Sequence, residues 1–292
     1  MSKVILITGT STGFGRDTAE TLGQAGHRVF ASMRDITGRN KAHADALRAK
    51  KIDVVELDVT DDASVDSAVA SVLNEAGRID VVINNAGVGA IAISEAYTTD
   101  QVRGLFDVNV FGVHRTLRAV LPTFRKQRAG LVLNIGSVLG RVTLPFIGLY
   151  GATKFALDSI SQSYRYELAP LGVDVVLVQP GAYPTDIYAT GLKPADTECI
   201  SAYGEVATIL GNMRQGFATM LTAENAPNPH EVAEAIATVI EQPAGSRPAR
   251  VIVGAPFGSD VLNTTAAAVQ IQALGALGLD GIIPATDKTP AA

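Results

Sequence analysis

The chain has 292 residues, 47% hydrophobic and 18% charged. That is long enough to bury a core without covalent staples, and it fits one large α/β domain. Its single cysteine, Cys199, excludes an internal disulfide and a cysteine metal cluster, and a formal net charge of -5 with no Lys/Arg block argues against nucleic acid.

Short β-branched runs follow one another along the chain. They are Val4–Thr8, Val29–Met33, Ile52–Leu57, Val81–Ile83, Leu131–Ile135, Val173–Val178 and Val251–Val253. Each is nearly continuously apolar, as expected of parallel strands covered on both faces. Amphipathic helical patterns fill most gaps, with Gly26 closing the first helix and Pro170 and Gly172 closing the one that starts near Tyr150. This alternation predicts an α/β fold, a Rossmann-like doubly wound parallel sheet of about seven strands with helices on both faces. Residues 1–292 form a single dinucleotide-binding and catalytic domain in this reading. Within it, 182–228 is the place for a substrate loop or flap. Residues 255–292 are a C-terminal extension with a helical apolar pattern (Val261, Leu262, Val269, Leu274), and the tail, Pro284–Ala292, is expected to fray. No apolar run is long enough to span a bilayer. The N-terminus enters a strand-like run without a signal-peptide pattern. The expectation is a cytoplasmic protein with no membrane partner.

Gly9, Gly13 and Gly15 lie between the first strand and the first helix, in T-G-T-S-T-G-F-G from Thr8. Glycines there let the backbone approach a pyrophosphate at the positive end of the helix. A bare glycine triplet is a weak signal; the strand before it and the helix after it strengthen it. The second strand ends in Met33-Arg34-Asp35. A neutral strand end followed by Arg favours a ribose 2′-phosphate, hence NADP(H) over NAD(H), although Asp35 complicates the reading.

Asn109 falls on the apolar stripe of a helix carrying Val102, Phe106, Val113, Leu117, Val120 and Phe124, where an amide must be bonded. Tyr150 and Lys154 stand four residues apart on one helix face. Bringing a phenol from its usual pKa to neutrality takes about 4 kcal/mol, and an adjacent ammonium favours the phenolate. Taken singly, Ser137 reads as a turn cap and the Tyr–Lys pair as a helix-surface pair.

Together and in this order, these motifs resemble the classical short-chain dehydrogenase/reductase (SDR) family over roughly residues 3–254. The ordered set comprises Thr8–Gly15, Asp58, Asn84-Asn85-Ala86-Gly87, Asn109, Ser137, Tyr150–Lys154 and Pro180-Gly181. The resemblance implies that Tyr150 is the general acid/base and that Lys154 lowers its pKa and holds the nicotinamide ribose. It implies that Ser137 binds the reacting oxygen and Asn109 supports a proton relay. For the cofactor it implies Gly9, Thr10, Ser11, Thr12, Gly13, Phe14, Gly15, Arg34, Asp58, Val59, Asn84, Asn85, Ala86, Gly87, Tyr150, Lys154, Pro180, Gly181 and Tyr183, with Thr185 in an uncertain register.

The substrate pocket is expected after Ser137 and Pro180, from Ser137, Val138, Leu139, Leu144, Phe146, Tyr183 and Tyr188, with Arg141 as a charged exception. An apolar lining suits a hydrophobic ketone, aldehyde or secondary alcohol. Tyr203, Met213, Phe217 and Met220 fit either a flap or plain packing. The four histidines show no metal spacing. The function expected is an NADP(H)-dependent oxidoreductase of the carbonyl reductase type. An NADP(H)-binding sensor without turnover is the alternative, and a cofactor-free enzyme on the same fold is disfavoured by the glycine turn. Phe155 and Tyr166, on the far side of the Tyr150 helix, together with the family's habit, suggest a homodimer or homotetramer.

Overall fold

A computed structural model describes residues 2–288. Seven parallel strands form one sheet in the order β3-β2-β1-β4-β5-β6-β7. They are β1 (Val4–Thr8), β2 (Arg28–Met33), β3 (Asp53–Glu56), β4 (Val81–Asn84), β5 (Gly130–Ile135), β6 (Val173–Pro180) and β7 (Arg250–Val253). The expected strands match to within two residues at each end. Chain order reverses between β1 and β4, which opens a crevice beyond their carboxyl ends where ligands of such sheets sit.

The period of two along each strand feeds two cores. Ile5 and Ile7 of β1 pack with α1 (Gly13–Gln24), α2 (Lys41–Ala49) and α9 (His230–Glu241) through residues such as Leu22, Leu47 and Ile236. Val4 and Leu6 pack on the other face with α3 (Asp62–Ala76), α5 (Gly112–Gln127) and α6 (Gly148–Leu168) through Val72, Leu117 and Leu157. Both faces are thus buried, which is why the strands read as unbroken apolar runs.

Between α4 (Thr99–Phe106) and α5 the helix widens into a π turn, Asp107–Phe111. The single stripe expected from Val102 to Phe124 is therefore two helices with a bulge, and Asn109 sits in the bulge. Such widenings free backbone groups and recur at functional sites.

Past β6 the chain forms α7 (Thr197–Ala202) and α8 (Glu205–Thr222), in which Leu210 alone is fully buried. After β7 come α10 (Ser259–Ala276) and α11 (Ala285–Lys288). The part of the expected fraying tail up to Lys288 is docked, and residues 289–292 lie outside the described residues. Arg165, its side chain 3% exposed, donates to Asp287 at 2.8 and 2.6 Å, to Thr286 Oγ1 and to the carbonyls of Val175 and Arg247. Tyr166, expected on a free face, is covered by Leu274 and Ile283.

Candidate active site

A cavity of about 680 Å³ occupies the crevice. It runs from the end of β2, past the glycine turn and the β4 end, to the ends of β5 and β6. Its wall includes Arg34, Arg39, Asp58 and Val59, then Gly9 and Ser11–Phe14 with Asn85, Ala86 and Gly87, then Ser137, Tyr150, Lys154, Pro180 and Gly181.

The glycine turn is built by its neighbours. Gly9 has φ +71° and a Cβ there would stand 2.7 Å from Ala86 Cα, so only glycine fits. Asn85 Nδ2 donates to the carbonyls of Thr8 (2.9 Å) and Gly9 (2.8 Å), while Thr8 Oγ1 accepts from the Asn85 and Ala86 amides. Thr10 is fully buried and donates to the Ser32 carbonyl, and Gly15 lies under the Asn85 side chain. Thr10 and Gly15 thus brace the turn from behind; neither lines the cavity. Thr12 caps α1 without a side-chain hydrogen bond among the described residues, and no acid occupies the first turn. The amides there are left for an anion, as a pyrophosphate needs.

At the β2 end, Arg34 Nη1 lies 3.8 Å from Asp58 Oδ2 and its side chain is half exposed. Asp35 (φ +50°) turns its carboxylate back onto its own loop, accepting from the Arg39 amide at 2.9 Å, and does not line the cavity. Arg39, Asn40 and His43 join the wall. Sequence reading missed these three because the loop into α2, not a motif, brings them round.

At the other end, Lys154 Nζ donates to the Ile135 carbonyl at 2.8 Å and sits 5.5 Å from the Tyr150 ring centre. Burial pushes the Lys154 ammonium down to about 8. Burial also holds the Tyr150 phenol above its ordinary value, with Tyr188 adding to the effect and the Ser137 hydrogen bond opposing it. Desolvation disfavours the phenolate, so the lowering expected from Lys154 is not seen in the protein alone. Ser137 opens a 3-10 turn, Val138–Gly140, and its Oγ accepts from the Leu139 amide at 3.1 Å.

Asn109 is 1% exposed and fully engaged. Its Oδ1 accepts from the Val88 amide (2.8 Å), and its Nδ2 donates to the Val88 carbonyl (2.9 Å) and Thr153 Oγ1 (3.1 Å). This clamps the stretch after Gly87 to the Tyr150 helix. Asn84 is buried in β4, where its Nδ2 donates to Asn134 at 2.8 Å, and it does not reach the cavity.

The remaining wall is mostly apolar, with Val138, Leu139, Leu144, Ile147, Ile187, Phe257 and a stacked pair, Tyr188 and Phe217, whose ring centres are 6.3 Å apart, and it also carries Asp186 and Thr190. Thr185 also lines it. Tyr183 reaches the wall but commits its hydroxyl to Glu231 at 2.7 Å and its ring edge-on to Phe14. Two expected pocket residues lie elsewhere. Phe146 packs against Ile93 and Leu210. Arg141 turns away to Asp158 and Asn263, because a buried guanidinium needs such partners. Of the aromatic and methionine series in 200–223, Phe217 reaches the cavity, while Tyr203 bonds Glu95 at 2.6 Å.

A doubly wound sheet, a glycine turn under a helix N-terminus and a Tyr–Lys–Ser cluster in one crevice define an oxidoreductase of the dinucleotide-binding class. The chain belongs to the short-chain dehydrogenase family, whose model, described as "short chain dehydrogenase", matches residues 3–194. It is 39% identical over 183 residues to the 3-ketodihydrosphingosine reductase of Bacteroides thetaiotaomicron, covering 63% of this chain and 65% of that one. It is 34% identical over 251 residues to human 17-beta-hydroxysteroid dehydrogenase type 1, covering 82% and 74%. A short-chain dehydrogenase from Streptomyces avermitilis superposes with a TM-score of 0.75 at 32% identity, covering 95% of this chain and 98% of that one. An alcohol dehydrogenase of Thermococcus sibiricus with 5-hydroxy-NADP (TM-score 0.69, 26% identity, 87% and 96% covered) shares the fold. So does a 3-ketoacyl-(acyl-carrier-protein) reductase of Brucella melitensis with NADH (0.71, 27%, 86% and 95%). The latter two neighbours are thus complexes with nicotinamide nucleotides.

Proposed function

We propose that this chain is an NADP(H)-dependent reductase of an apolar ketone or aldehyde, or in reverse a dehydrogenase of the secondary alcohol. The observation that carries the reading is the placement of Ser137, Tyr150 and Lys154 at one end of the cavity whose other end is the glycine turn with Arg34 and Arg39. The site fits the nucleotide on three counts: uncapped α1 amides, a Gly9 that tolerates no side chain, and two guanidinium groups beside a neutral strand end.

The bound nucleotide would supply the hydride. The residues of the chain supply the rest. Ser137 donates to the carbonyl oxygen and orients it toward Tyr150. Tyr150, kept protonated by burial, gives its proton as that oxygen gains charge. Lys154, held against the Ile135 carbonyl, places a positive charge near the resulting phenolate and steadies it. Gly13 and Phe14 seat the pyrophosphate, and Arg34 with Arg39 binds a 2′-phosphate. The apolar wall excludes water and favours a hydrophobic substrate, in keeping with the ketoreductase and hydroxysteroid names of the relatives.

The test is oxidation of NADPH and NADH across a panel of ketones and aldehydes. Turnover with NADPH that Tyr150→Phe lowers at least about 100-fold is the expected result. Tight NADPH binding with no turnover on any carbonyl would favour the sensor reading instead. Arg34→Asp is expected to weaken NADPH far more than NADH; equal effects on both would refute the NADP preference.

We also propose a cytoplasmic homodimer or homotetramer. Among the described residues no helix is long and apolar enough to cross a membrane. Phe111 and Phe155 are 51% and 40% exposed, next to and on the paired helices α5 and α6. A monomer mass by light scattering would refute the assembly.

A further inference from the structure

Behind the apolar wall, away from the cofactor groove, lies a cluster of polar side chains that the mechanism does not use. Asp158, its side chain 5% exposed, accepts from Arg250 at 2.7 and 3.0 Å and from Gln179 at 3.2 Å, with Arg141 at 3.5 Å. Asn263 of α10 completes it. Its Oδ1 accepts from Arg141 Nε at 2.8 Å, and its Nδ2 donates to Gln179 Oε1 at 2.7 Å. One amide therefore joins two guests of opposite polarity, and neither a carboxylate nor an apolar isostere can serve both.

The two guests are not arbitrary. Arg141 ends the 3-10 turn that Ser137 begins, and that turn carries Leu139 of the cavity wall. The turn is also wedged against α6: a Cβ on Gly140 would stand 2.8 Å from the Lys154 carbonyl oxygen. Gln179 directly precedes Pro180 and Gly181, which line the cavity. The same C-terminal segment reaches the site itself through Phe257, which lines the cavity, and through Ala255, whose carbonyl leaves 3.0 Å for a Cβ on Gly181.

We propose that Asn263 is a positioning residue: by bridging Arg141 and Gln179 it makes the C-terminal extension set the placement of Ser137 and of the Pro180-Gly181 turn. The extension is then part of the reaction's geometry. This inference rests on the proposed reductase reading for its kinetic readout and on the turn alone for its structural one. An error of about 1 Å in a group that orients the reacting oxygen costs up to about 100-fold in rate.

The experiment uses the full chain. Asn263→Leu removes both bonds at similar volume, and Asn263→Asp keeps the acceptor for Arg141. Asn263→Leu is expected to lower kcat at least about tenfold on a ketone the wild type reduces. Asn263→Asp, which loses the donor to Gln179, is expected to recover part of that loss. Arg141→Ala combined with Asn263→Leu is expected to lose less than the product of the two single losses, since both remove the Arg141–Asn263 contact. Wild-type kcat in Asn263→Leu, or losses that multiply in the double variant, would overturn the proposal. Hydrogen exchange at the amides of Leu139–Val142 needs no turnover. Faster exchange there in Asn263→Leu is expected even if no carbonyl proves to be a substrate; unchanged exchange would overturn the proposal. Failure of the wild type on every carbonyl would instead count against the reductase reading.

Discussion

Lys154 is buried, and its ammonium is pushed down to about 8, so its charge is present at neutral pH and disappears above that value. In the proposed reduction that charge steadies the phenolate left by Tyr150. The rate is therefore expected to hold up to about pH 8 and to decline above it as Lys154 loses its proton. A pH profile of kcat/KM with NADPH checks this; a profile flat to pH 10 would contradict it. The phenol itself is held protonated by burial, which suits donation to a carbonyl oxygen and disfavours abstraction from an alcohol in the protein alone. Spacing of the Tyr and Lys was legible in the sequence. Their electrostatic balance was not, because desolvation depends on which chains close over them.

The π turn at Asp107–Phe111 shows how one element is shaped for the site. Asn109 gives both ends of its amide to Val88 and one further bond to Thr153, locking the stretch after Gly87 onto α6. Asn109→Ala would leave the partly buried Val88 amide and carbonyl without their side-chain partner. The expected destabilisation is about 1–3 kcal/mol, measured by urea unfolding with an unchanged m-value. A stability equal to wild type would mean that water replaces the amide. The position of Asn109 on an apolar stripe announced that it must be bonded. The helical period could not reveal the bulge, since one added residue in a turn leaves the apolar spacing nearly intact.

At the scale of the whole molecule, the C-terminal extension is stitched to the sheet by Arg165 and Asp287. Asp287→Ala leaves a guanidinium 3% exposed without its carboxylate. Losing one partner of a buried ion pair costs about 3–5 kcal/mol, so a clear fall in Tm by calorimetry is expected. An unchanged Tm would show that the carbonyls of Val175 and Arg247 suffice. The same docking covers Tyr166, which leaves Phe111 and Phe155 as the apolar groups exposed beside α5 and α6.

The sequence by itself determined the doubly wound sheet and the glycine turn, and the resemblance of its ordered motifs to a known family pointed to Ser137, Tyr150 and Lys154. Strand periodicity, glycine conformational freedom and helix spacing are local properties, and local properties are written in order along the chain. Only the tertiary structure decided that Arg39 and His43 join Arg34, that Arg141 faces α10 and not the pocket, and that Thr10 and Asn84 stand behind the site. Those outcomes turn on which distant segments meet and on the need of each buried polar group for a partner, and no window of sequence contains both.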